Sequence, residues 1–213
     1  MTTLSTEQIV KIIDKMADII IKNEVYFCEL DSVAGDGDFG MSIAKGFKQL
    51  KLEWEDISKE NIGAFLKDSG MIITEHCGGA SGPIWGSAFL AAGRSSKGKT
   101  EVTLSEFADL MEAAVAGIQK RGKAQLGDKT LLDALIPTTV ALREGATNNA
   151  EILDTMILGA KAAVDGAELT KSMVAKKGRA SYVGERSLDH PDAGAMALGI
   201  IFTEIVEWFK NSK

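Results

Sequence analysis

Ile9, Ile12, Ile13, Met16 and Ile20 fall on one face of a helix, and stripes of this kind recur along nearly the whole chain. Phe107, Leu110, Met111, Ala114 and Ile118 make a second stripe, and Ile152, Leu153, Met156, Ile157, Ala160 and Val164 a third. Weaker versions cover 41–50, 62–75, 83–93, 129–143 and 193–210, so the period predicts about eight helices. Ser5 with Gln8, and Thr103 with Glu106, have the spacing of capping boxes, and Asn149 is placed to cap the third stripe. No segment alternates β-branched and polar residues between turn dipeptides, as a half-buried strand requires. The expected class is therefore all-α. Pro137 falls inside one pattern and is expected to kink or split that helix. Gly63, Gly70, Gly86 and Gly159 each cost about 1 kcal/mol against alanine within a helix, so close helix contact is expected there. No repeat, linker or low-complexity tract divides the chain, and residues 1–213 read as a single domain.

A formal net charge of −6 argues against nucleic acid and against an anionic membrane surface as partners. The N-terminus lacks the features of a secretory signal, and the apolar runs are too short to span a bilayer. Cys28 and Cys77 are the only cysteines and have no CxxC spacing, which fits a reducing cytoplasm and excludes a thiolate zinc site. With only His76 and His190 available, any metal must be held mainly by oxygen.

Function is expected on the glycine-rich breaks at 34–40, 77–83, 122–128 and 176–194. The stretch LDSVAGDGDFG, Leu30 to Gly40, crowds Asp31, Asp36 and Asp38 into one bend without a basic residue. Such carboxylates repel by roughly 1 kcal/mol per pair at ~4 Å in water and about 4 at a partly buried site. A hard divalent cation would offset this. An EF-hand fails, because counting from Asp36 puts Phe47 where its closing glutamate belongs. An acidic turn opening the helix near Met41 is the alternative. CGGASGPIWG, Cys77 to Gly86, places small residues before Pro83, which suits a phosphate-binding helix start or a tight turn. RGKAQLGDKTLLD and KKGRASYVGERSLDHPDAGA add Lys123, Lys129, Arg179 and Arg186 around glycines, and the second stretch is long enough to be a lid. GRSSKGKT, Gly93 to Thr100, matches the phosphate-loop pattern to the letter but lacks the strand that must precede it, so it reads as an inter-helix turn.

The four glycine-rich stretches LDSVAGDGDFG, GGASGP, RGKAQLGDKT and KGRASYVGERS with DHPDAGA, in their order along the chain, resemble the nucleotide-binding L subunits of bacterial dihydroxyacetone kinases, equivalent to the C-terminal domain of the ATP-dependent fused kinases. The likeness covers essentially the whole chain. It implies a barrel of eight antiparallel helices with the nucleotide and metal at one end. Asp31, Asp36 and Asp38 would then be the ligands of two Mg²⁺ ions. Gly40, Met41, Ser42, Ala80 and Ser81 would contact the phosphates of ADP or ATP. Gly122, Thr130 and Leu131 would line the nucleoside side, and Arg179 with Asp192, Ala193 and Gly194 would complete the pocket. Phe39 stands at the nucleotide where the family usually has histidine, so that side chain's hydrogen bond or charge is absent.

The same resemblance implies a phosphotransferase that needs partners. Dihydroxyacetone would sit on a separate K subunit, and a phosphohistidine protein of the phosphotransferase system would rephosphorylate the bound ADP. The sugar-side base would belong to the K subunit, leaving no catalytic residue on this chain. A homodimer is admitted. The alternatives are a kinase subunit using freely exchanging ATP on another ketose, and a non-catalytic nucleotide sensor.

Overall fold

The computed structural model describes residues 3–211. Its helices are α1 (Thr6–Lys22), α2 (Glu24–Ser32), α3 (Phe39–Leu52), α4 (Ile62–His76), α5 (Ser81–Ser95), α6 (Leu104–Gly122), α7 (Leu132–Thr147), α8 (Ile152–Leu169) and α9 (Ala193–Asn211). Short 3-10 segments follow α8 at Thr170–Ser172 and Arg179–Ser187. Two three-residue strands, β1 (Thr3–Ser5) and β2 (Glu101–Thr103), pair antiparallel with Leu4 opposite Val102.

The all-α expectation holds, and the ribbon is too short to leave an alternating signature. It has a local purpose. Ser5 and Thr103 end the two strands and also cap α1 and α6: each hydroxyl accepts an N–H from the residue three further on, and Gln8 and Glu106 reach back to the cap N–H at 2.9 and 2.8 Å. Pairing the strands thus fixes where both helices begin.

Helices α1, α3, α4, α5, α6, α7, α8 and α9 touch in that order and α9 returns to α1, closing a ring of eight. The four-residue connections after α4 and α7 set α4 against α5 and α7 against α8 as antiparallel neighbours. One apolar cluster runs from Leu4 to Phe209, with Phe27, Phe47 and Phe65 fully enclosed. Along the ring's axis lies a cavity of 160 Å³ walled by apolar side chains such as Ile12, Phe89, Met111, Met156 and Phe202. No described helix is long and apolar enough to cross a membrane. Cys28 and Cys77 are both free.

Several helix boundaries differ from the sequence reading. Helix α2 has no counterpart there, because it buries little but Phe27 and so shows no apolar stripe. It lies outside the ring order, packed on α3. Lys129 takes φ +60°, so α7 starts at Leu132 rather than 129. Pro137 does not split α7. It withdraws the N–H that would meet the Asp133 carbonyl, and Gly166 of α8 leaves that carbonyl room, since a Cβ there would collide with it. Asn149 sits at φ +53° and closes α7 instead of capping α8, which begins at Ile152. Gly63, Gly70 and Gly86 do mark close contact: added Cβ atoms would lie 2.9 Å from the Gly93 carbonyl, 2.9 Å from Phe89 and 3.0 Å from the Gly70 carbonyl. Gly159 has only ordinary contacts.

The phosphate-loop match covers the end of α5 and the turn into β2. Its Ser96 hydroxyl donates to Ala92 at 2.9 Å, and Lys99 is ion-paired with Glu106 at 2.5 Å. This is the negative end of a helix, wrong in sign for phosphate. Lys99→Ala is therefore expected to leave the Mg²⁺-dependent ADP binding that the resemblance implies within twofold of wild type by titration calorimetry. A loss of binding would revive the match.

Candidate functional site

The last turn of α2 carries Asp31, and the bend that follows carries Asp36 and Asp38. Asp31 organises this bend. Its Oδ2 accepts the N–H of Gly37 at 2.9 Å and of Phe39 at 3.4 Å, while its carbonyl accepts Gly35 N–H at 2.6 Å. Gly37 turns the chain at φ +74°, a region glycine enters without strain. The three aspartates each offer an oxygen within 4.8 Å of the others.

Positive charge at this cluster is scarce. Arg179 Nε meets Asp36 Oδ2 at 2.9 Å, but both side chains are substantially exposed, so the pair is worth no more than about 1 kcal/mol. Burial raises the pKa of Asp31 above the usual carboxylate value; the N–H groups of Phe39 and Gly37 oppose the shift, and the charges of Asp36 and Asp38 add to it. A converging, all-oxygen donor set that lacks compensating charge fits a hard divalent cation.

Two helix starts adjoin the aspartates. Helix α3 begins directly after Asp38, and α5 begins at Ser81. Neither N-cap residue supplies a side-chain cap, so both starts present positive dipole ends that favour an anion, although Phe39 N–H is held by Asp31 Oδ2, Met41 N–H by Cys28 Sγ and Ser81 N–H by the Gly78 carbonyl. Ser81 is the first residue of α5. The two starts are held together by the Gly78 N–H, which donates to the Ser42 carbonyl at 3.0 Å. A side chain at Gly78 would press on the Ser42 hydroxyl at 2.6 Å.

The opposite wall is the turn before α7. Asp133 is buried and takes the Gly127 N–H on Oδ1 at 2.6 Å and the Thr130 N–H on Oδ2 at 2.7 Å. Asp192 opens α9 by accepting Ala195 N–H at 2.8 Å.

Between these walls lies a cavity of 340 Å³. Asp31, Asp36, Asp38, Phe39 and Ser42 line one side, with Ala80 and Ser81 adjoining. Gly122, Thr130 and Leu131 line the other, and Arg179, Asp192, Ala193 and Gly194 border it. Two residues expected at the phosphates are not part of this lining. Gly40 is buried against α2, and Met41 is 57% exposed with its N–H on Cys28 Sγ at 3.2 Å. Phe39 leans on Phe27, ring centroids 6.1 Å apart, which gives this position an apolar anchor. Ile84, Trp85 and Ile118 also reach the cavity. The sequence hides them because they read as core positions of α5 and α6.

Desolvation pushes the Asp192 carboxyl up to about 7, against the help of Ala195 N–H, with Asp133 and Asp31 adding repulsion. Its ordinary value is 3.8, so between about pH 4 and 7 the folded protein binds a proton that the unfolded chain does not. Stability contributed by this group is full below that window and lost as pH rises through it. In metal-free buffer, the unfolding free energy of wild type relative to Asp192→Asn is expected to fall from pH 5 to 8 in urea titrations. A difference that is flat with pH would contradict this.

Residues 33–207 match the DAK2 domain family. The chain is 37% identical over 203 residues to a PEP-dependent dihydroxyacetone kinase ADP-binding subunit DhaL of Listeria innocua, covering 94% of each chain. It is 35% identical to the corresponding Escherichia coli subunit, covering 92% of this chain and 93% of that one. A solved dihydroxyacetone kinase from C. freundii, in complex with AMP-PNP and Mg²⁺, superposes with a TM-score of 0.72 at 25% identity over 93% of this chain. This chain spans about a third of that longer one, 33%. With the family match spanning residues 33–207 and relatives of 37% and 35% identity covered over nearly their full length, the chain belongs to the DAK2 domain family, DhaL subunits being among those relatives.

Proposed function

We propose that this chain is the ADP-binding subunit of a dihydroxyacetone kinase, a cytoplasmic single-domain protein that passes a phosphoryl group from a phosphohistidine donor, through bound nucleotide, to dihydroxyacetone on a separate K subunit. The observation that carries this reading is the placement of three converging carboxylates beside two uncapped helix starts, in a cavity large enough for a nucleotide. The names of the DhaL relatives and the AMP-PNP and Mg²⁺ of the solved neighbour support it.

Asp31, Asp36 and Asp38 would hold two Mg²⁺ ions, which supply charge neutralisation at the phosphate oxygens. A nucleoside triphosphate brings roughly −4, so with three aspartates and two such ions about −3 is left. The positive dipole ends at the starts of α3 and α5 would offset part of that remainder, and Arg179 can fork onto phosphate oxygens once it leaves Asp36. Thr130, Leu131 and Ile84 offer the less polar wall that a nucleoside needs. The segment carrying Arg179 lines the cavity's edge through Gly178, Arg179 and Ala180. Phosphoryl transfer asks chiefly for positioning and charge stabilisation, so no general base is required of this chain.

Native mass spectrometry of protein purified without added nucleotide tests this reading. Retained ADP with two Mg²⁺, and phosphorylation of dihydroxyacetone only when a K subunit and the phosphohistidine donor are supplied, are the expected results. A site that retains nothing and phosphorylates from free ATP would replace the coenzyme role with ATP turnover. Failure to bind either nucleotide would refute the proposal.

A further inference from the structure

We infer that Lys129 is a positioning residue of this site, which fastens the 173–190 segment through its ammonium group rather than touching a ligand. The inference rests on the nucleotide reading above only for the ligand named in one arm of its test. A lysine in a glycine-rich turn beside a phosphate cavity is ordinarily read as a phosphate contact. The structure gives this one a different occupation.

Lys129 borders the cavity, yet it is 2% exposed and is held at φ +60°, a conformation that non-glycine residues rarely adopt. Asp133 grips the N–H groups of Gly127 and Thr130 on either side of it. The turn is thereby fixed, and the lysine is directed inward. Its Nζ donates to the carbonyls of Met173 at 3.0 Å, of Ser187, and of His190 at 2.8 Å. An ammonium has three N–H donors, and here all three are spent on carbonyls. No donor remains for a phosphate.

All three acceptors belong to one segment, which otherwise has few ties to the ring of helices. Lys176 reaches the same turn through its N–H to the Asp128 carbonyl at 3.0 Å and its Nζ to Gly127 at 3.1 Å, and Asp189 N–H donates to Lys171 at 2.8 Å. This segment carries Arg179 to Asp36 and runs directly into Asp192, Ala193 and Gly194. Lys129 therefore ties the wall that holds Thr130 and Leu131 to the wall that holds Arg179 and the start of α9. Without the ammonium, three inward-facing carbonyls lose their shared donor, and the segment is left chiefly with the bonds of Lys176, Asp189 and the exposed Arg179 pair.

The test uses Lys129→Ala on the full-length protein, with propylammonium as a replacement for the missing side-chain end. ADP affinity in Mg²⁺ is expected to fall at least tenfold. Tryptic cleavage at Lys176, Lys177, Arg179 and Arg186 is expected to quicken at least tenfold, with helical circular dichroism unchanged. Propylammonium should restore both, and tetramethylammonium at equal ionic strength should restore neither, because it has no N–H to give. Unchanged cleavage in the variant, or a loss that propylammonium fails to repair, overturns the inference. If the variant does not fold, wild-type protein labelled with ¹⁵N at lysine Nζ decides. A slowly exchanging ammonium signal that persists unshifted when Mg²⁺ and ADP are added supports the three-carbonyl anchorage, and a rapidly exchanging or ligand-shifted one refutes it. Wild type that fails to bind ADP would refute the nucleotide reading, while the cleavage arm would still decide the role of Lys129.

Discussion

Asp36→Ala is expected to weaken Mg²⁺-dependent ADP binding by about 100-fold or more, beyond the 10–100-fold typical of groups that only orient a metal ligand. Asp36 contributes one of the three oxygens that converge within 4.8 Å. Removing it leaves two donors for the metal and also deprives Arg179 of its resting partner. The metal-free protein should not suffer. The exposed ion pair contributes at most about 1 kcal/mol, and losing one of three crowded like charges offsets that loss. Calorimetric ADP titration in Mg²⁺ and in EDTA, with a melting curve for each protein, separates the effects. A variant that binds as wild type does would reduce the bend to an acidic turn.

Gly40→Ala carries the largest expected cost in stability, about 3 kcal/mol or more, at or above the upper end for overpacking. A Cβ at this position would collide with the Glu24 carbonyl and lie 2.7 Å from the Cys28 backbone nitrogen. Backbone atoms cannot rotate aside as a side chain can, so α2 must move off α3. Because α2 carries Asp31, the shift also dismantles the acidic cluster. Urea unfolding of the metal-free protein measures the first effect, and weaker Mg²⁺ binding under folding conditions measures the second. A loss below about 1 kcal/mol would mean that the two helices are not as tightly joined as their geometry requires.

These two glycine and aspartate positions show what the sequence could and could not reveal. The ring of helices was legible because apolar positions repeat at helical spacing along most of its members, and because both capping boxes sit at their expected starts. Asp31, Asp36 and Asp38 stood out by crowding alone. Helix α2 did not, since one buried phenylalanine makes no stripe, and with it went the reason for Gly40: a close approach between helices leaves no trace in spacing. Asn149 and Lys129 were misjudged for a shared cause. Both adopt positive φ, which composition does not announce outside glycine, and so one ended a helix that it was expected to cap another for, and the other delayed a helix it was expected to begin. The anchoring of the 173–190 segment was invisible because its three acceptors are backbone carbonyls, common to every residue type.

The three aspartates, as a cation site that grips a phosphate chain, are central to the proposed activity. Crystals grown with ADP and Mn²⁺ in place of Mg²⁺ test this through anomalous scattering. The expected result is a pair of peaks bounded by the carboxylates at 31, 36 and 38, with density for a diphosphate running toward the starts of α3 and α5. Featureless anomalous maps at that position under saturating Mn²⁺ and ADP, with the three side chains turned into solvent, would contradict it.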